Sequence, residues 1–256
     1  MLFTIGADWS DVFRHLLHPS VVWDRTTWSA CIALAGTTIS PYLFVWQAAE
    51  EFEEIAHDSG IADISRHHVR AMRLDVVAGM LSGVVIMFAI MVTTGDELFA
   101  AGITHIESAE QVATALRPLA GDFAGLVFAL GILGVGLLAI PVLAGASAYA
   151  VAEVMNWPES LERRPGRAKA FYAVIAVSMI LALLLNGFGI NPMVALYLAA
   201  VTNGIAAPVL LFLISILASR DSVMGELRSG AMSRVLVFAT ATLMAAAPLA
   251  WLAAAH

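Results

Sequence analysis

Residues 35–47 read Ala35-Gly36-Thr37-Thr38-Ile39-Ser40-Pro41-Tyr42-Leu43-Phe44-Val45-Trp46-Gln47, and they interrupt a charge-free apolar run over residues 26–49 with small hydroxyl residues and a proline. Pro41 has no backbone N–H and its ring clashes with the carbonyl four residues earlier, so a helix here is predicted to open over residues 36–40. Inside a bilayer, freed carbonyls are tolerated only where protein, water or a bound ion satisfies them. Two readings follow from the residues alone. One is a functional break whose carbonyls and hydroxyls bind a ligand; the other is a proline kink re-satisfied by neighbouring hydroxyls.

The rest of the chain suits a membrane. Of 256 residues, 60% are hydrophobic and 13% charged, with a mean hydropathy of +0.85, the composition of a polytopic membrane protein. The net charge of −7 and scattered basic residues leave no stripe for nucleic acid. A single cysteine, Cys31, excludes an internal disulfide and a cysteine metal cluster within one chain. Met1-Leu2-Phe3-Thr4-Ile5 lacks a charged start, and Asp8 and Asp11 interrupt any signal-like apolar run. Residues 8–18 instead read as a short amphipathic helix, with Trp9, Val12, Phe13, Leu16 and Leu17 on one side, lying at a membrane surface.

Crossing the hydrocarbon core takes about 20 apolar residues in a helix. Charge-free runs then predict six spans, over residues 26–49, 76–94, 123–152, 170–185, 192–219 and 235–254, so that a transmembrane domain over 26–256 follows a segment over 1–25. Glu50, Glu51, Glu53 and Glu54 prolong the first span as a solvated helical face, or as a metal-attracting mouth. Gly79 and Gly83 form a small-xxx-small pair suited to close helix packing. The third span, with Gly131, Gly134, Gly136, Pro141 and Gly145, is the most deformable. Residues 170–219 carry no charge and divide at Asn186-Gly187-Phe188-Gly189-Ile190-Asn191-Pro192; the fifth span is expected to be interrupted at Thr202-Asn203-Gly204 and Pro208. Adjacent His67 and His68 do not share a helix face and carry no metal-ligand spacing.

Orientation follows from the basic residues. One side collects Arg66, Arg70, Arg73, Arg163, Arg164, Arg167, Lys169, Arg220, Arg228 and Arg234; the other holds Arg14, Arg25 and Arg117. The positive-inside rule places both termini outside the cytoplasm in a multi-pass protein of the cell membrane. No Asp, Glu, Lys, Arg or His falls within the six spans. The polar candidates at membrane depth are Thr37, Thr38, Ser40, Gln47, Ser147 and Asn203, and a dehydrated cation would need compensating charge besides. The chain has no Ser-His-Asp arrangement, no H-E-x-x-H and no phosphate loop, so it reads as no enzyme.

Gly36-Thr37-Thr38-Ile39-Ser40-Pro41-Tyr42, followed by Trp46-Gln47-Ala48 and the acidic run, resembles the sixth transmembrane helix of the Nramp-type (natural resistance-associated macrophage protein) divalent metal transporters. The resemblance continues through Arg73-Leu74-Asp75 and covers essentially the whole chain. It implies an all-α membrane bundle, the second inverted repeat of a LeuT-type fold plus one extra helix, with the six spans standing for helices six to eleven. It also implies a transported divalent metal ion of the Mn²⁺/Fe²⁺ type as substrate, no cofactor, and symport with protons. The family's helix-one Asp-Pro-Gly-Asn metal motif has no counterpart here. The chain is therefore expected to be a fragment whose partner is a missing N-terminal half.

By the same resemblance, the helix-six pattern Ala-x-x-Met-Pro-His puts Thr37 at the alanine whose carbonyl contacts metal, Ser40 at the methionine and Tyr42 at the histidine. Ser40 exchanges a soft thioether for a hard hydroxyl, which suits Mn²⁺ or Mg²⁺ over softer ions. Asn203 lies where the family's tenth helix contributes a polar side chain. The implied metal residues are thus Thr37, Ser40 and Asn203, with Gly36, Pro41 and Tyr42 forming the break and gate. A non-transporting membrane subunit or remnant, and a LeuT-type carrier of a small organic solute, are the other readings.

Overall fold

The computed structural model describes residues 21–59, 66–95, 123–161 and 164–254, with isolated positions between 10 and 18 and between 106 and 112. Most of the helix expected over 8–18, most of the connection over 95–121 and the side chains of His67 and His68 lie outside those residues. The described residues form helices and no strand: α1 (Arg25–Thr38), α2 (Pro41–Ser59), α3 (Arg66–Thr94), α4 (Ala124–Met155), α5 (Lys169–Gly187), α6 (Pro192–Leu217), a short α7 (Asp221–Met224) continued by a 3₁₀ turn, and α8 (Ala231–Ala253). Among the described residues, six stretches are long and apolar enough to cross a membrane: Arg25–Ile55, which joins α1 to α2, then Val69–Val92, Gly125–Met155, Lys169–Gly187, Pro192–Leu217 and Ala231–Ala253.

The break is narrower than 36–40. Asp24 caps α1 by accepting the Thr27 N–H at 2.8 Å, and the helix then continues through Gly36 to Thr38. Ile39 still donates its N–H to the Ala35 carbonyl at 2.9 Å, although its own backbone (φ −119°, ψ 88°) has left the helix. Only Ile39 and Ser40 separate the two helices. The physical reason is that Pro41 opens α2, the position where a missing N–H costs nothing and a fixed φ helps.

One further expectation is corrected. α6 runs without interruption through Thr202-Asn203-Gly204 and Pro208. Thr202 bonds its hydroxyl back to the Leu198 carbonyl at 2.8 Å, and a buried Pro208 removes a single N–H, which a packed membrane helix tolerates. α4, the span richest in glycine, is one continuous helix with Pro141 inside it.

The chain divides into two compact units. One contains most of α3 and the part of α4 up to Pro141. Its helices present apolar side chains such as Val77, Leu81, Leu133 and Leu137 at the surface. Gly79 and Gly83 have no atom within 4 Å of a Cβ position among the described residues, so they make no close helix contact there.

The other unit holds α1, α2, the end of α4, α5, α6 from Val194, α7 and α8. Here the close approach is between Gly36 of α1 and the Ala200-xxx-Gly204 seam of α6. A Cβ on Gly36 would fall on the Ala200 carbonyl and the Gly204 backbone, and one on Gly204 would meet the Ile32 carbonyl and lie 2.7 Å from Ile32 Cγ2. Small residues thus let two backbones touch where lipid offers no hydrophobic drive. Ala207, Leu211, Ala241 and Met244 pack beside this crossing against Ala35, Ile39 and Phe44. At the start of α1, Arg25 stacks 4.4 Å over Trp251 of α8, Trp23 lies 4.7 Å from Trp28, and Ser29 and Tyr197 share a 2.7 Å hydrogen bond. Aromatic and cationic groups of this kind suit a membrane–water boundary.

The two glycine environments predict opposite outcomes. Gly36→Ala should cost about 1–3 kcal/mol by overpacking, whereas Gly83→Ala should be neutral or stabilise by about 0.5–1 kcal/mol through helix propensity. Thermal unfolding of the detergent-solubilised chain, followed by circular dichroism, measures both.

Candidate functional site

The residues around the break are joined by the Ser40 side chain. Ser40 is 4% exposed, and its hydroxyl donates to the Gly36 carbonyl at 3.0 Å and lies 3.3 Å from the Thr37 carbonyl. Pro41 leaves the latter without its usual helical N–H, so the hydroxyl stands in for a missing backbone donor. Thr37 itself is exposed and spends its hydroxyl on the Leu34 carbonyl at 2.9 Å, as Thr38 does at 2.7 Å. What Thr37 offers a ligand is its carbonyl, which keeps a second lone pair.

Of the other residues singled out, Asn203 is half-buried and makes no side-chain hydrogen bond among the described residues. It follows the seam residue Ala200 by one turn and precedes Gly204, whose backbone lies against α1, one turn before the break. The fold therefore brings the backbone beside Asn203 to the level of Gly36. Tyr42 is half-buried in the first turn of α2. Gln47 and Ser147 bond within their own helices, to Glu51 at 3.4 Å and to the Leu143 carbonyl at 2.9 Å. Among the described residues no group of three or more His, Cys, Asp or Glu side chains could hold a metal ion.

A second polar centre is not expected from the sequence. Glu53, one of the four carboxylates assigned there to a solvated face, is half-buried. It accepts the Tyr149 hydroxyl at 2.8 Å and the Ser160 hydroxyl at 3.0 Å. The Tyr149 oxygen in turn accepts the Leu161 N–H at 3.2 Å, and Tyr172 donates to the Leu161 carbonyl at 3.1 Å. Beneath this network Trp46 lies edge-on to Tyr149 with centroids 6.1 Å apart, and Tyr149 meets Phe171 at 4.9 Å. Gly145 makes room for the Trp46 ring, since a Cβ there would sit 3.1 Å from Cε3. The available signal is the spacing of Trp46, Glu50 and Glu53, four and three residues apart on one helix face. Glu159, in the same loop as Ser160, has its carboxyl pushed above the usual range by burial, then by the charges of Glu153 and Glu53.

The family model described as natural resistance-associated macrophage protein-like matches residues 1–254. The chain belongs to that family. It is 22% identical over 237 residues to the divalent metal cation transporter MntH of Caldanaerobacter subterraneus subsp. tengcongensis, an alignment covering 92% of this chain and 52% of that protein. It is 24% identical over 247 residues to the divalent metal cation transporter MntH of Clostridium acetobutylicum, covering 95% and 53%. This Nramp-like chain spans about half the length of the curated relatives it matches.

The Glu159 environment gives the Nramp-like chain a pH signature. A carboxyl whose folded value is raised contributes stability that is fully present below its ordinary value of 4.5 and is lost as pH rises through the folded value. The melting temperature should therefore fall as pH rises from 4.5 toward neutrality, and Glu159→Gln should flatten that slope. Melting curves across that range check it.

Proposed function

We propose that the chain forms one wall of a transport path for a divalent metal cation, with the break at residues 39–40 contributing oxygen ligands near the bilayer midplane. The observation that carries this reading is the pairing of the break with the α1–α6 crossing. The Thr37 carbonyl and the Ser40 hydroxyl lie at the break, and the α6 backbone beside Asn203 lies one turn away. A discontinuous helix that presents unwound backbone to a substrate is the device by which LeuT-type carriers hold ions, and both relatives are named as divalent metal cation transporters.

In this reading the six membrane helices are the second repeat of that fold plus one further helix, lying in the cell membrane with the basic loops in the cytoplasm. A dehydrated divalent ion needs a compensating carboxylate, which is supplied by a complementary half outside these 256 residues. Pro41 and Tyr42 follow the moving joint at Ile39 and Ser40, while Gly36, expected from the sequence to be part of it, lies in the helix held against α6; protons are the coupling ion. Ser40, a hard ligand, favours Mn²⁺ or Mg²⁺.

The lack of a metal-capable side-chain group among the described residues supports a second reading, in which the chain transports nothing and serves as a helix-packing partner. Uptake into proteoliposomes separates the two. Assembled with the complementary half of a related transporter, the chain should carry Mn²⁺, and Ser40→Met should shift selectivity toward Cd²⁺ by about tenfold, equivalent to about 1.4 kcal/mol. No uptake in the assembly, with both halves inserted, sinks the transport reading.

A further inference from the structure

We propose that Glu53 is a positioning residue, a latch that holds α2 in one orientation about the two-residue joint at 39–40. The proposal stands on the fold and is independent of what, if anything, is transported. α1 and α2 are connected only through non-helical Ile39 and Ser40, followed by a proline that donates no hydrogen bond to α1. Nothing in the covalent chain at that joint dictates one angle between the two helices.

Glu53 lies 13 residues beyond Ser40, about 20 Å along the helix at 1.5 Å per residue. At that distance a side-chain clasp acts on the joint as on the end of a lever. The two hydroxyls it accepts come from different elements, Tyr149 on α4 and Ser160 in the loop before α5. Tyr149 is itself fixed by the Leu161 N–H, and Leu161 by the Tyr172 hydroxyl of α5. One carboxylate therefore gathers α2, α4, the loop residues Ser160 and Leu161, and α5. Hydrogen bonds to an ionised acceptor are roughly twice as strong as those between neutral groups. The clasp is also opposed: Glu153 of α4 and Glu159 of the loop bring like charge to the same place, and burial disfavours the charged form of Glu159. A strong contact set against repulsion can close and release. Packing is the competing explanation, since nearer the joint Phe44 packs against α6 and α8 and Trp46 fills the notch at Gly145.

Spin-label distances decide between them. α1 packs along α8, so α8 serves as the fixed reference. Labels would be placed at Glu54→Cys on α2 and Met232→Cys on α8, both exposed, in a Cys31→Ser background of the full chain in nanodiscs. The parent should give one narrow distance. Glu53→Gln keeps the shape but has one acceptor oxygen for two hydroxyls, and it should add a second distance population. Tyr149→Phe combined with Ser160→Ala should do the same, while Ser160→Thr, which keeps a hydroxyl, should retain the narrow distance. A narrow distance that persists in both Glu53→Gln and the double variant overturns the proposal in favour of packing by Phe44 and Trp46. Equal broadening in Ser160→Thr also overturns it. If Glu53→Gln does not yield monodisperse protein, the distances in the double variant and in Ser160→Thr discriminate between latch and packing by themselves.

Discussion

The Ser40 hydroxyl, 3.3 Å from the Thr37 carbonyl and donating to the Gly36 carbonyl at 3.0 Å, resolves the chief difficulty that Pro41 creates. A proline in an apolar helix removes a donor, and in hydrocarbon an unsatisfied carbonyl costs several kcal/mol. A side chain placed just before the proline returns a donor to the same carbonyls. The opening is thereby limited to Ile39 and Ser40, and α1 stays helical far enough for Gly36 to lie on the α6 backbone. A wider opening would remove Gly36 from the helix and with it the crossing at Ala200-xxx-Gly204.

α2 is held between two polar devices of different character. At the break, neutral hydroxyls satisfy backbone carbonyls within one turn, and the cost of losing them is local. At its far part a carboxylate collects donors from elements about 100 residues away in sequence, so its loss is felt across α4, the following loop and α5. Between the two, Trp46 in the Gly145 notch supplies apolar packing with no polar requirement. The helix has the construction of a strut whose ends are specified separately.

Much of this is legible in the sequence, and the exceptions have physical causes. The membrane-crossing helices can be located because charge is expensive in hydrocarbon and a crossing helix has a minimum length. The break can be located because proline cannot donate a hydrogen bond. Its width cannot, since the same proline either disrupts the turn before it or starts the helix after it, and the structure shows the latter. The Thr202-Asn203-Gly204 and Pro208 signals in α6 point to an interruption on local propensity alone, whereas tertiary packing keeps that helix whole. Spacing marks Gly79 and Gly83 for close packing, yet Gly36 and Gly204 make the contact. A small-xxx-small pair states that a backbone can be approached, not which backbone approaches it. Glu53 is hard to single out from Glu50, Glu51 and Glu54 because its partners, Tyr149 and Ser160, become neighbours only in the folded chain.

We propose that the break supplies hard oxygen ligands for a divalent cation, with the balancing carboxylate coming from a complementary half. The most direct measurement is a Mn²⁺ titration followed by electron paramagnetic resonance, run on the purified chain alone and on its assembly with the complementary half of a related transporter. No saturable binding to the chain alone and one saturable site in the assembly, weakened by Ser40→Ala, are the expected results. Tight one-site binding by the isolated chain, or a site in the assembly indifferent to Ser40, would contradict the proposal.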